Sequence, residues 1–161
     1  LQKMQGIHLL IEAFEILRSE IDNLYLVLAG RIRKVFGERL NLKKEGIIWL
    51  KKLDQKGVVD LINAADVTVV PSTTNDFTKY CFPYKIIEYM ACNAKIVATK
   101  VGDMRFIAPK KCLCKPDSVN ALVENIKLNL NSADKVNYRK FAKKYSWHNI
   151  AKKLDKIIRF N

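Results

Sequence analysis

The stretch that decides the fold is FPYKIIEYMACNAKIVAT, residues 82–99. It predicts a helix that opens at Pro83, closes near Asn93 and hands the chain to an apolar strand. Proline fits a first helical position, because the N–H it lacks would find no partner there and its φ is already helical. Asparagine fits the end, since it tolerates the left-handed conformation with which many helices close. Between them Ile86, Ile87, Tyr89, Met90 and Ala91 are apolar or nearly so, with one carboxylate, Glu88, in their midst. Lys85 in the first turn runs against the helix macrodipole unless an anion is shared there. Two readings of these charges stand side by side: a phosphate seat formed by the helix N-terminus with Lys85, or an exposed i, i+3 pair of Lys85 with Glu88.

Working outward, the same alternation of helix and strand recurs. Ile7, Leu10, Ile11, Phe14, Leu17 and Ile21 form the stripe of an amphipathic helix ending near Ile21. Residues 24–29 are a continuous apolar run stopped by Gly30, as in a strand buried on both faces. Residues 31–44 read as a basic helix with loop character around Gly37, and 47–50 as a second strand closed by the charged loop 51–56. A helix from Val58 to Ala65 and a third strand, 67–70, follow, and a polar loop, 72–79, leads into the central helix. Residues 96–98 are the core of a fourth strand, and a loop through Gly102 and Asp103 precedes a fifth at 111–114. Asp117 or Ser118 caps a helix running to about Leu130, Asp134 starts another, and 147–160 is the last.

Strands apolar throughout and alternating with helices imply an α/β fold: a Rossmann-like, doubly wound parallel sheet of about five to six strands flanked by helices, with further helices at the C-terminal end. Ligands of such sheets bind beyond the carboxyl ends of the strands. Those ends here are Gly30 and Arg31, Lys51 and Lys52, residues 71–74 with Ser72, and residues 99–102. The N-terminus of the central helix and Lys85 open on the same edge, which suits a diphosphate. The absence of G-x-G-x-x-G argues against a dinucleotide cofactor.

At 161 residues, 49% hydrophobic and 28% charged, the chain is expected to be one globular domain. No uncharged stretch approaches the roughly 20 residues of a membrane span. The start, LQKMQGIHLLIEAF, lacks the pattern of a signal peptide, so a cytoplasmic location is expected. That start runs straight into a helix with no strand before it, so a piece of a longer protein is expected. Cys81, Cys92, Cys112 and Cys114 show no zinc spacing. Cys112 and Cys114 fall on one face of the predicted strand, so buried free thiols and no metal site are expected. The net charge of +13 invites an anionic partner, nucleic acid or membrane. Lysines lie in every segment and no aromatic interleaving accompanies them, which argues against specific nucleic-acid binding. One cluster, Arg139, Lys140, Lys143, Lys144, Lys152 and Lys153, crowds the last two helices and fits peripheral contact with anionic headgroups.

Five segments together carry a family resemblance: QGIHLLIEAFEIL, LYLVLAG, LINAADVTVVPS, FPYKIIEYMACNAKIVAT and YSWHNIAKKLDKI. Over nearly its full length the chain resembles the C-terminal, donor-binding domain of the two-domain retaining glycosyltransferases of family 4, one half of a GT-B fold. The resemblance implies transfer of a hexosyl-type sugar from a nucleoside diphosphate sugar to a glycan or lipid-linked acceptor held by a preceding N-terminal domain. It implies no cofactor and no metal in this domain. Glu88 would hold the ribose hydroxyls, Lys85 with the backbone of Phe82, Pro83 and Tyr84 the diphosphate, and Lys51, Lys52 and Leu53 the base. Gly30, Arg31 and Ser72 would line the crevice. The family's first glutamate, at the sugar, falls on Tyr80, and Asp76 is the nearest upstream carboxylate; these two are the candidate catalytic residues. Gln5 stands at a lysine position, Asn93 and Ala94 replace residues of the family motif, and Lys51 replaces a glycine. These departures keep open a second reading, a transferase-like module that has lost catalysis and serves as a binding or scaffolding partner. A basic nucleic-acid-binding α/β domain is a third, resting on charge alone.

Overall fold

The computed structural model describes residues 5–31, 40, 42–133 and 137–159. In chain order the elements are α1 (Ile7–Arg18), β1 (Leu26–Ala29), β2 (Ile47–Leu50), α2 (Gln55–Ala64), β3 (Thr68–Val70), α3 (Asp76–Tyr80), α4 (Tyr84–Ala91), β4 (Ile96–Thr99), α5 (Met104–Ile107), a 3-10 turn (Lys110–Cys112), β5 (Leu113–Cys114), α6 (Val119–Asn131), α7 (Arg139–Ala142), a second 3-10 turn (Lys143–Tyr145) and α8 (Trp147–Arg159). All strand pairing is parallel, as expected. It divides into a β1–β2 pair and a β3–β4–β5 trio.

The centre of the molecule is β4. All four of its residues are buried, and alternate side chains enter opposite layers, as the pleat requires. Val97 joins α1, α6 and Leu28 in one core; Ile96 and Ala98 join Ile86 and Met90 of α4, Met104 of α5 and Ala142 of α7 in the other. The half-buried Leu26 of β1, Val67 just before β3 and Val69 within it pack on the first core together, so both strand groups serve one middle layer. Ile86 and Met90 are 0% exposed, each contributing about 1.5–3 kcal/mol of burial.

Two links orient the layers. Gly6, the residue before α1, lies so close to the end of β3 that a Cβ there would meet the Pro71 carbonyl oxygen at 1.7 Å. Helix α1 therefore starts at the carboxyl end of β3 and runs back to the start of β1. At the far end of α6, the Lys95 ammonium just before β4 donates to the Asn129 and Ser132 carbonyls at 3.0 and 2.7 Å. Helix α6 thus also ends at the amino edge of the sheet. Helix α4 reaches the same edge and closes in a Schellman motif, with Asn93 N–H bonded to Met90 O and Ala94 N–H to Tyr89 O, both 3.1 Å. Asn93 has φ 57, the left-handed close expected of it. The N-termini of α1, α4 and α6 consequently gather at the carboxyl edge.

The differences from the sequence reading have local causes. Helix α1 stops at Arg18, short of Ile21, whose N–H returns to Leu17 O at 2.9 Å in a turn. Helix α2 starts at Gln55 rather than Val58 because the Asp54 carboxylate accepts the Gly57 N–H at 2.7 Å and caps it. The polar segment 72–79 is not all loop, since α3 occupies its second half. Residues 110–112 coil into a 3-10 turn, which leaves β5 two residues long. That turn sends Cys112 and Cys114 into opposite cores, not onto one face. Both are buried free thiols, and burial pushes the Cys114 thiol up to about 11. Ser118 is the cap of α6, accepting the Ala121 N–H. The helix read over 31–44 falls largely on residues outside those described, as do Asp134, the expected start of the next helix, and Phe160. The described helix after α6 begins at Arg139.

Gly6 is the contact on which α1 depends, with φ +66 and no room for a side chain. Gly6→Ala is expected to cost about 2–5 kcal/mol, the sum of left-handed strain and overpacking, measured by urea unfolding; a loss below about 1 kcal/mol would contradict this packing.

Candidate functional site

The carboxyl edge is built from the exits of the strands. At the end of β1, Gly30 N–H donates to the Leu50 and Lys51 carbonyls at 3.1 and 2.9 Å, and its own carbonyl accepts the Trp49 indole N–H at 2.9 Å. Gly30 and Lys51 are thereby brought together, with Arg31, Lys51 and Lys52 exposed and Leu53 half-buried beside them. At the end of β3, the fully buried Thr99 hydroxyl donates to Ser72 O at 2.6 Å and fixes the path of the chain. Thr74 N–H then donates to both carboxylate oxygens of Asp117 at 3.2 Å, which ties this exit to the start of α6.

Helix α3 hangs on a reciprocal cap. Thr78 N–H donates to Asn75 Oδ1 and Asn75 N–H to Thr78 Oγ1, both at 3.0 Å. It is pressed onto the β4 exit at Gly102, where a Cβ would meet Thr78 O at 2.5 Å; the residue's φ of +53 also lies in the left-handed region that favours glycine. This helix carries both candidate catalytic residues, one turn apart. Asp76 is paired with Lys79 at 3.0 Å and its side chain is 97% exposed. Tyr80 is 86% exposed. Among the described residues nothing joins Asp76 to α4.

The N-terminus of α4 is more sharply defined than its sequence suggests. Pro83 is the residue before the helix, not its first residue, with φ −86 and ψ 75. It sits at the centre of an inverse γ-turn in which Tyr84 N–H bonds Phe82 O at 3.1 Å. Ile86 N–H is bonded to Pro83 O at 3.0 Å, and proline has no N–H to give. The Lys85 N–H, between these two, has no backbone acceptor. Of the amides expected to serve an anion, Pro83 has none and that of Tyr84 is spent in the turn, which leaves Phe82 and, past the expected set, Lys85.

Lys85 and Glu88 are both exposed, and no contact ion pair joins them among the described residues. Crowding around the Lys85 ammonium strips it of water and holds it below its ordinary value of 10.5; the nearby Glu88 and Cys81 act in the opposite direction. Burial pushes the Tyr89 phenol up to about 12, with Glu88 adding to the effect. The aromatic side of the turn is packed: Phe82 meets Tyr84 edge-on at 5.0 Å and Tyr145 at 6.0 Å. Gln5 is half-buried next to Gly6, at the same edge. Thr99 and Gly102 fall in the 99–102 exit read from the sequence, whereas Asp117 reads there only as a candidate helix cap. Asp117 lying one residue before a helix cap was the available signal.

A shallow hollow of about 400 Å³ lies elsewhere, at the amino edge, lined by Glu20, Asp22, Asn23, Asp66 and Lys127 among others. Helix carboxyl ends and acidic side chains surround it, so it repels an anion. Among the described residues no group of His, Cys, Asp and Glu is placed to hold a metal, and no helix is long and apolar enough to cross a membrane.

No curated protein matches the sequence. Among solved structures, HepE of Anabaena in complex with UDP-glucose superposes with a TM-score of 0.84 at 18% identity, over 100% of this chain and 47% of that one. Sucrose-phosphate synthase of Thermosynechococcus elongatus gives 0.79 at 24% identity, over 98% of this chain and 42% of that one. The C-terminal domain of a glycosyl transferase group 1 family protein, LpcC, of Francisella tularensis gives 0.73 at 22% identity, over 91% of this chain and 83% of that one. The chain thus spans less than half the length of the first two and has the fold of a GT-B C-terminal domain. The family model for glycosyl transferases group 1 matches residues 1–132, well over half the sequence, and the chain belongs to that family.

Proposed function

We propose that this domain binds a nucleoside diphosphate sugar at its carboxyl edge, as the donor half of a retaining, family 4 hexosyltransferase. The observation that carries this reading is the N-terminus of α4, where an amide without a backbone acceptor, a partly desolvated ammonium and Glu88 stand within one turn. A diphosphate offsets the desolvation of Lys85 and accepts its N–H. Glu88, one turn further on, accepts two hydrogen bonds from the ribose hydroxyls, and the Gly30 and Lys51–Leu53 side of the edge receives the base. HepE, whose structure holds UDP-glucose, supports the choice of donor class. The acceptor, a glycan or a lipid-linked glycan, is assigned to a preceding domain of a longer protein on the cytoplasmic side. No cofactor or metal is assigned to this domain, and the basic residues 139–153 make electrostatic contact with an anionic membrane. Catalysis here is positioning and electrostatic stabilisation of the leaving diphosphate.

A second reading, a module that binds nucleotide without transferring sugar, is favoured by one observation: Tyr80 offers an uncharged phenol at the sugar position while Asp76 is engaged by Lys79. The two readings share the nucleotide seat and part on turnover by the longer protein.

UDP, GDP and ADP are the probes of the seat. At least one is expected to raise the melting temperature and release heat in calorimetric titration, with Glu88→Ala weakening binding roughly tenfold or more. No heat and no shift with any of the three would overturn the proposal. The pH dependence has a definite sign. The ammonium form of Lys85 attracts the diphosphate, so affinity is expected to fall as pH rises through a Lys85 pKa that lies below 10.5. Lys85→Arg should hold its affinity to higher pH, since guanidinium stays charged; matching wild-type and Lys85→Arg profiles would remove Lys85 from the seat.

A further inference from the structure

Tyr145 closes the second 3-10 turn, and among the described residues it is the last apolar side chain that packs on either core. Helix α8, which follows, has no buried residue. The half-buried Tyr145 is held in place by its own segment. The Lys143 carbonyl accepts the Ser146 N–H at 3.2 Å and the Asn149 side-chain Nδ2 at 2.6 Å, and Tyr138, buried in the second core, roots the near end. From there the ring meets Phe82 at a centroid distance of 6.0 Å and an interplanar angle of 58°. Phe82 in turn meets the Tyr84 ring edge-on at 5.0 Å. Three rings thus stand in a row, and the last two belong to the residues on either side of Pro83.

Those two residues are the ends of the γ-turn, which is closed by one bond, Tyr84 N–H to Phe82 O. The net gain from a single hydrogen bond is smaller than the entropy lost in ordering three residues, so the turn needs support from outside. Proline fixes its own φ. What remains free is the Pro83 ψ, which stands at 75, between the helical and the extended basins. Rotation about that ψ swings Phe82 against Tyr84, changes the relative direction of the Phe82 and Lys85 amides, and draws the Phe82 ring away from Tyr145. The contact between Phe82 and Tyr145 opposes that rotation, because Tyr145 is anchored by a different part of the chain. We propose that Tyr145 is a positioning residue of the nucleotide seat: its ring holds Phe82, and through Phe82 the γ-turn that directs the Phe82 and Lys85 amides toward one anion. The inference rests on the seat proposed above and adds to it a residue, remote in sequence, that acts without touching the nucleotide.

The test is calorimetric titration of the 161-residue chain with whichever of UDP, GDP and ADP the wild type binds, well below the melting temperature of every variant. Tyr145→Ala is expected to weaken binding about tenfold, and Tyr145→Phe, which keeps the ring, to restore it to within about twofold of wild type. In a Phe82→Leu chain, which lacks the ring through which Tyr145 acts, adding Tyr145→Ala should change affinity by less than about twofold. A contact that is only structural would lower the melting temperature of Tyr145→Ala and leave the affinity of the folded protein unchanged. That result, with wild-type binding intact, would overturn the positioning role and leave the nucleotide seat standing. Equal losses in Tyr145→Phe and Tyr145→Ala, or an undiminished loss in the Phe82→Leu chain, would also overturn it, since neither follows from a ring acting through Phe82. If Tyr145→Ala shows no cooperative melt, Tyr145→Leu, which keeps apolar volume without the flat ring, takes its place, with a loss of at least about fourfold expected. A wild type that binds none of the three nucleotides would overturn the seat and this inference with it.

Discussion

Helix α4 is held at both ends by one short segment of chain, and the geometry of the carboxyl edge depends on that grip. At the C-terminal end the Schellman close leaves the Ala91 carbonyl free, and Arg139 Nε donates to it at 2.9 Å while Arg139 N–H donates to Asn93 Oδ1 at 2.9 Å. At the N-terminal end Tyr145, six residues along, packs on Phe82. Tyr138, buried beside the second core, roots the segment that does both. An eight-residue helix is too short to be stable through its own hydrogen bonds. Its place is set by Ile86 and Met90 in the core and by these two end contacts. The orientation of Lys85 and Glu88 follows from them.

The topology supplies the electrostatics without any special motif. Parallel strands with antiparallel helices put three helix N-termini on one edge, and each adds a partial positive charge there. A G-x-G-x-x-G turn is one way to let a phosphate approach such an edge. This chain uses instead a proline-centred γ-turn that consumes one amide and leaves the next one open, beside a lysine whose ammonium is short of water. Under the function proposed above an anion would relieve Lys85, whereas the acidic hollow at the opposite edge would repel one.

Much of this was legible in advance, for identifiable reasons. The first four strands read correctly to within two residues because continuous apolar runs have few other uses in a chain of this length, whereas half of the fifth is a 3-10 turn. The left-handed close at Asn93 read correctly because few residues accept it. Helix α3 did not, since its signal is the Asn75 and Thr78 pair, whose side-chain bonds are equally at home in a loop. The placement of Pro83 missed by one residue, enough to remove Tyr84 N–H from the seat. Cys112 and Cys114 separate because a 3-10 turn breaks the two-residue period that had put them together. The openness of α8 was beyond sequence altogether: its periodic stripe looks the same whether a core covers it or nothing does.

The claim that the carboxyl edge is the nucleotide site is tested most directly by following backbone amide resonances of the ¹⁵N-labelled domain as UDP is added. The account predicts that the Lys85 amide moves furthest, with Tyr84, Ile86, Gly30 and Lys51 following, while amides of residues 20–24 and 127–131 around the acidic hollow stay in place. Shifts centred on that hollow, with Lys85 and Glu88 unmoved at saturation, would contradict it.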